Sequence, residues 1–198
     1  MGENLLILIA AALPLMGSPG PAVLSTAAVA SAFGIRACLP WLAGIVLGTA
    51  TVLGIVASGV AGMVLAVPVL LPVVSVIAAL WILWLAWKIA TAPPLGRRGP
   101  DVRAPSFAGA YLLAIANPKA YAAIGAVYAN VIVVAGDPFG DAVAKVATLS
   151  AVIVVVNSAW MLFGAAFARV LSSPRLGRAV NIVFALLLVA SVVVALLL

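Results

Sequence analysis

Two apolar runs in this chain, each long enough to cross a bilayer, are broken by proline at matching places. One break is Ser18-Pro19-Gly20-Pro21, inside a run that begins near Leu5. The other is Asn117-Pro118-Lys119, inside the run from Phe107 to Val134. Proline removes a backbone donor and collides with the carbonyl four residues earlier, so a helix kinks or stops there. In hydrocarbon the freed backbone groups are tolerated only where protein buries them or a wet cavity meets them. Pro19 and Pro118 lie 99 residues apart in a chain of 198, so each half carries one broken helix. Paired interruptions at corresponding positions of two halves point to a binding site where the halves meet.

Composition makes these runs membrane spans. The chain is 67% hydrophobic and 7% charged, with a mean hydropathy of +1.38, far from soluble averages. At roughly 20 residues per span, six spans fit: 5–33, 38–65, 69–90, 107–135, 142–170 and 179–198. The first is expected to be interrupted at Pro14 and again at Pro19 to Pro21. Residues 136–141 read as a turn. Glu3 and the lack of an early cation argue against a signal peptide, so the first span is expected to remain.

Charge sets the orientation. With six spans, one side of the membrane receives Arg36, Lys88, Arg97, Arg98, Arg103, Arg169, Arg175 and Arg178, with Asp101 as its only acid. The other side receives Glu3, Asp137, Asp141 and Lys145. The positive-inside bias then makes the first side cytoplasmic and leaves both termini outside the cytoplasm. Three spans is an odd number, so the two halves run in opposite directions. The fold expected is an all-α polytopic membrane protein of one domain, 1–198. It consists of two inverted three-helix repeats, 1–90 and 107–198, joined by a basic cytoplasmic linker at 91–106, with spans one and four broken.

Absences exclude whole classes. There is no histidine and only one cysteine, which removes His-based triads, HExxH sites and thiol pairs. No cofactor and no metal are expected, and the basic residues form no nucleic-acid patch. Cys38 reads as a small packing residue. Gly44 with Gly48, and Ser58 with Gly62, are small-xxx-small pairs that let helices approach closely. Trp81, Trp84 and Trp87, followed by Lys88, fit an aromatic belt at the headgroups. Asn157 reads either as interhelical glue or as a substrate contact. Lys119 has two readings as well: a snorkelling interface residue, or a functional cation within the membrane.

The ordered set Ser18-Pro19-Gly20-Pro21, Gly34-Ile35-Arg36, Trp81 to Lys88, Phe107, Gly109 and Asn117-Pro118-Lys119-Ala120 resembles the lysine-exporter translocator superfamily. It is most similar to the homoserine/threonine-efflux branch, over nearly the whole chain. The resemblance implies a multi-pass exporter of amino acids and related metabolites in the bacterial inner membrane, coupled to the proton gradient. Two departures stand out. Proline-glycine-proline is followed here by Ala22 and Val23, where a polar residue is common in the family. Spans two to six also lack the acidic residues carried by exporters of basic amino acids, which argues against a dicationic substrate and leaves proton coupling without a carrier.

The expectation is therefore a secondary active efflux carrier for a small neutral or zwitterionic metabolite, most simply an amino acid. Its partners are that small molecule and the lipid bilayer, and a homo-oligomer is compatible with the chain. The alternatives are a passive channel or a structural membrane subunit without transport. A membrane enzyme fits poorly, because titratable groups within the spans are nearly absent. Substrate binding is assigned to Ser18, Pro19, Gly20, Pro21, Asn117, Pro118 and Lys119. Half-helix N-termini would hold a carboxylate. Lys119 would add charge through the site, or pair with a carbonyl and brace the break, and Asn117 would orient the ligand.

The charge asymmetry predicts that a reporter fused after Arg98 is active only as a cytoplasmic reporter. A signal from the opposite side would invert the topology.

Overall fold

Proline sets the start of half the described helices. The computed structural model describes residues 2–59, 70–91, 104–170 and 174–197, and among these there are helices and turns but no strand. In chain order the helices are α1 (Gly2–Gly17), α2 (Pro21–Phe33), α3 (Ile35–Ala57), α4 (Leu70–Ala90), α5 (Phe107–Ile115), α6 (Pro118–Asn130), α7 (Pro138–Val170) and α8 (Pro174–Leu197). Helices α2, α6, α7 and α8 begin on proline, whose missing N–H would be unpaired at that position anyway and whose φ is preset for a helix.

The first break is narrower than the sequence suggested. Pro14 lies inside α1 and interrupts nothing. A single missing hydrogen bond can be carried by a helix packed among others. The chain turns only at residues 18–20, where α1 and α2 meet at 63°. There Pro19 and Pro21 remove two donors in succession, and Gly20 between them is fully extended, with φ −174° and ψ 175°. The second break, between α5 and α6, falls at Ala116 and Asn117, as the sequence suggested. The expected turn at 136–141 is shorter, because α7 already starts at Pro138. Asp137 caps that helix by accepting from Gly140 N at 2.9 Å.

The surface is apolar and the centre partly polar. Leu6, Leu80, Val155 and Leu186 are exposed, and Trp87 is 65% exposed, as lipid-facing side chains would be. Helix α3 and residues Pro138–Phe167 are each long and apolar enough to cross a membrane, and α1 with α2 passes the same test as one bent span. On α4, Trp84 and Trp87 face outward while Ile82, Leu85 and Ile89 face the core, in keeping with a belt. Readings for Gly62, the 66–68 connection, linker residues 92–103 and residues 172–173 fall outside the described residues. So do those for the side chains of Trp81, Lys88, Arg169, Arg175 and Asn181.

Helix α2 sits at the centre. It is buried from Val23 to Phe33 on every side, as an all-round apolar helix must be, and it packs against α3, α4, α5, α7 and α8. Cys38 is buried beside it, its Sγ donating to Thr26 O at 3.6 Å. Small residues bring the other helices in. A Cβ on Gly48 would lie 2.6 Å from Ala114 Cβ and 2.7 Å from Tyr111 O, and one on Gly44 would lie 2.7 Å from Ala110 Cβ. The Gly44/Gly48 pair therefore seats α3 directly on α5. Gly164 likewise seats α7 on the backbone of Ala27.

The same substitution at two glycines of α3 separates packing from helix propensity. Gly→Ala gains roughly 1 kcal/mol of propensity at either position. At Gly48 overpacking costs about 1–3 kcal/mol, whereas a Cβ on Gly54 would meet nothing within 4 Å beyond its own helix. Gly48→Ala is therefore expected to melt below Gly54→Ala in detergent. Equal melting would contradict the close approach of α3 and α5.

Candidate functional site

Every carbonyl across the first break has a donor, and for three of the four the donor comes from the other half of the chain. Trp160 Nε1 on α7 donates to Gly17 O at 3.0 Å. Lys119 Nζ on α6 donates to Ser18 O and, at 3.2 Å, to Pro19 O. Gly20 O accepts from Leu24 N at 2.9 Å as the first bond of α2. The ammonium thus braces the break through carbonyls, one of the two roles expected for Lys119. Gly20 is needed for this approach, since a Cβ there would lie 2.7 Å from Lys119 Cδ and 2.9 Å from its Nζ.

The amide donors at the start of α2 are left open. Pro21 has no N–H, Gly20 offers no capping side chain, and the N–H groups of Ala22 and Val23 find no partner among the described residues. The second break differs. Asn117 is buried at the start of α6, its Oδ1 accepts from Lys119 N at 3.2 Å, and its backbone oxygen accepts from Ala120 N at 3.0 Å. One half-helix start is capped and the other is bare.

Between them lies a cavity of about 40 Å³, room for roughly three waters. Gly20, Ala22, Val23, Thr49, Asn117, Lys119 and Asn157 contribute to its lining, with apolar walls from Leu15, Met16, Ala123, Ile124, Ile153 and Val156. Of the residues chosen from sequence, Gly20, Asn117 and Lys119 line it. Ser18 and Pro19 meet it through their carbonyl bonds to Lys119, and Pro21 and Pro118 occupy first helical positions behind it. An ammonium has three donors, and two of those on Lys119 are used. With the bare start of α2, this is a concentration of donors and positive potential suited to one carboxylate.

Sequence reasoning missed the part played by Trp160, although an indole N–H in an apolar run always raises the question of its partner. It also counted Lys145 as a loop cation. Lys145 is only 5% exposed; its Nζ pairs with Asp141 at 2.7 Å, donates to Tyr128 O at 2.9 Å and sits 4.8 Å over the Tyr128 ring. Asp141 Oδ1 accepts from Val133 N at 2.6 Å and Val134 N at 3.0 Å. The cluster clamps the α6–α7 connection and puts a carboxylate in the first turn of a spanning helix. Among the described residues, no group of His, Cys, Asp and Glu could hold a metal ion.

Because Lys119 satisfies two carbonyls, its removal is expected to cost stability as well as charge. Lys119→Met should lower the thermal midpoint of the purified protein, each charged hydrogen bond being worth about 1.5–3 kcal/mol. An unchanged midpoint would mean that the brace contributes nothing.

Comparison with known proteins agrees with this architecture. Residues 13–198 match the family described as LysE type translocator. The chain is 31% identical over 176 residues to the cysteine/O-acetylserine efflux proteins of Escherichia coli strain K12 and Shigella flexneri, covering 87% of either chain. The protein of the same name from Salmonella typhimurium is 37% identical over 76 residues, which span 38% of this chain and 39% of that relative. No solved structure matches it significantly. A bent first helix on proline-glycine-proline, braced by the lysine of Asn-Pro-Lys, thus belongs to a translocator and not an enzyme: the chain is a member of the LysE type translocator family.

Proposed function

We propose that this chain is a secondary active exporter of a small zwitterionic amino acid with a short side chain. The observation that carries the reading is the uncapped start of α2, which faces a cavity beside the spare N–H of Lys119. The substrate carboxylate would lie there, held by the amides of Ala22 and Val23, by Lys119 and by Asn117. Ser18, Pro19, Pro21 and Pro118 act by shaping the two breaks. Walls of Leu15, Met16, Ile124, Ile153 and Val156 crowd the space beside the breaks with bulky apolar groups, which suits a short, uncharged side chain. Cysteine and O-acetylserine, named for the relatives, are zwitterions of this kind.

The same reading takes the fold as six spans in two inverted repeats, 1–90 and 107–198, with residues 91–106 cytoplasmic and both termini outside the cytoplasm. Helix pairings support it: α3 packs on α5 as α7 packs on α1, and α2 packs on α7 as α6 packs on α3. Exchanging the halves maps each pair onto the other. A ligand held between the two breaks would reach both sides of the membrane in turn by rocking of one half against the other.

Proteoliposomes containing the purified protein should show counterflow of labelled cysteine or O-acetylserine and none of lysine, whose second positive charge would meet Lys119. Absence of counterflow for every amino acid tried, or a preference for lysine, would overturn the reading.

A further inference from the structure

One acceptor in the cavity has no partner. Asn157, on α7, is 5% exposed; its Nδ2 donates to Ile153 O at 2.8 Å, while its Oδ1 has no hydrogen-bond partner among the described residues. The orientation of the amide is forced. Turned the other way, Oδ1 would face the carbonyl of Ile153, acceptor against acceptor. The nitrogen therefore takes the side toward its own helix, and an oxygen is left over. Buried polar atoms are nearly always paired, and an unpaired one in a native core calls for a reason.

Gluing helices together is not that reason. The single bond that Asn157 makes runs one turn back along α7, not to a neighbouring helix. Its side chain instead lines the cavity that Lys119, Asn117 and the bare start of α2 also line. The other polar groups there are chiefly donors. An acceptor among them calls for the donor end of the same ligand. Three residues along α7, Trp160 is bonded to Gly17 O, so Asn157 is held in register with the first break.

We propose that Asn157 Oδ1 accepts from the α-ammonium of the transported amino acid, and that Asn157 is the residue by which the protein tells an amino acid from a carboxylate lacking that ammonium. This rests on the exporter reading above and names the second half of the same site. A neutral acceptor suits the task. A carboxylate at this depth would be left as an uncompensated buried charge each time the site emptied, whereas an amide holds the ammonium and lets it go.

The test is counterflow in proteoliposomes with two probe pairs: L-cysteine against 3-mercaptopropionate, and O-acetylserine against its isomer N-acetylserine. In each pair the second member keeps the carboxylate and loses the ammonium. The parent protein should favour the amino acid by at least about tenfold, the worth of one charge-assisted hydrogen bond. Asn157→Leu should bring the ratio close to one by raising KM for the amino acid, and Asn157→Asp, which keeps the acceptor, should retain the preference. Should Asn157→Leu fail to assemble, Asn157→Ala is read by the same ratio. A variant that slows both members of a pair equally and keeps the parent's ratio overturns the role of Asn157 alone, as does a parent that carries both members equally well. A parent that carries neither amino acid overturns the exporter reading, and this inference with it.

Discussion

Inside hydrocarbon a backbone carbonyl without a donor costs several kcal/mol, and the bend at residues 18–20 exposes a run of them. The chain answers with side chains from far along the sequence. Lys119 reaches across 101 residues to Ser18 O, and Trp160 reaches across 143 to Gly17 O. These bonds tie α6 and α7 to the junction of α1 and α2, so the carbonyls of residues 17–19 are satisfied by the second half packed against them. Close packing follows the same demand. Gly20 gives Lys119 room, Gly48 lets α3 settle on α5, and Gly164 lets α7 settle on α2. The site is therefore a product of backbone satisfaction before it is a product of ligand recognition.

The two breaks are alike in sequence and unlike in chemistry. Asn117 precedes Pro118 and spends its side chain on capping α6. Gly20 precedes Pro21 and has no side chain to spend. Lys119 lies between them, its amide receiving the cap of one break and its ammonium supplying carbonyl donors to the other. The outcome is a single bare helix start in place of two, with the positive end of α2 aimed at the cavity. An extended Gly20 is permissive here through its size, since its φ of −174° is open to any residue.

Much of this was legible in the chain. The 99-residue spacing of Pro19 and Pro118 marked both breaks, and Gly44 with Gly48 marked a close helix contact, because each signal is local and its physics is one-dimensional. Where the outcome depended on a partner distant in sequence, the reading stopped. Pro14 looked like a break, yet the packing of α1 carries it. Lys145 looked like a loop charge, because α7 starts four residues earlier than its apolar run and Asp141 is then one turn away on the same helix. Asn157 was visible as a polar residue in an apolar run, but only the fold reveals that its oxygen is spare and faces the same cavity as Lys119.

The two lysines inside the second half bear on the selectivity proposed above. Lys145 has a carboxylate, a carbonyl and a tyrosine ring around it, and its charge is neutralised on the spot. Lys119 has only carbonyl dipoles, which solvate an ammonium without cancelling its charge. Among the described residues the only ion pair is the one at Lys145, so the cavity keeps a net positive field, reinforced by the start of α2. On the proposed reading such a field would draw one carboxylate and repel a second ammonium, while the neutral oxygen of Asn157 would accept from one ammonium without inviting two. A ligand that leaves no charge uncompensated in this space carries one negative and one positive group. That is the chemistry of the neutral amino acid proposed as substrate, and the proposal turns on one lysine having carbonyls where the other has a carboxylate.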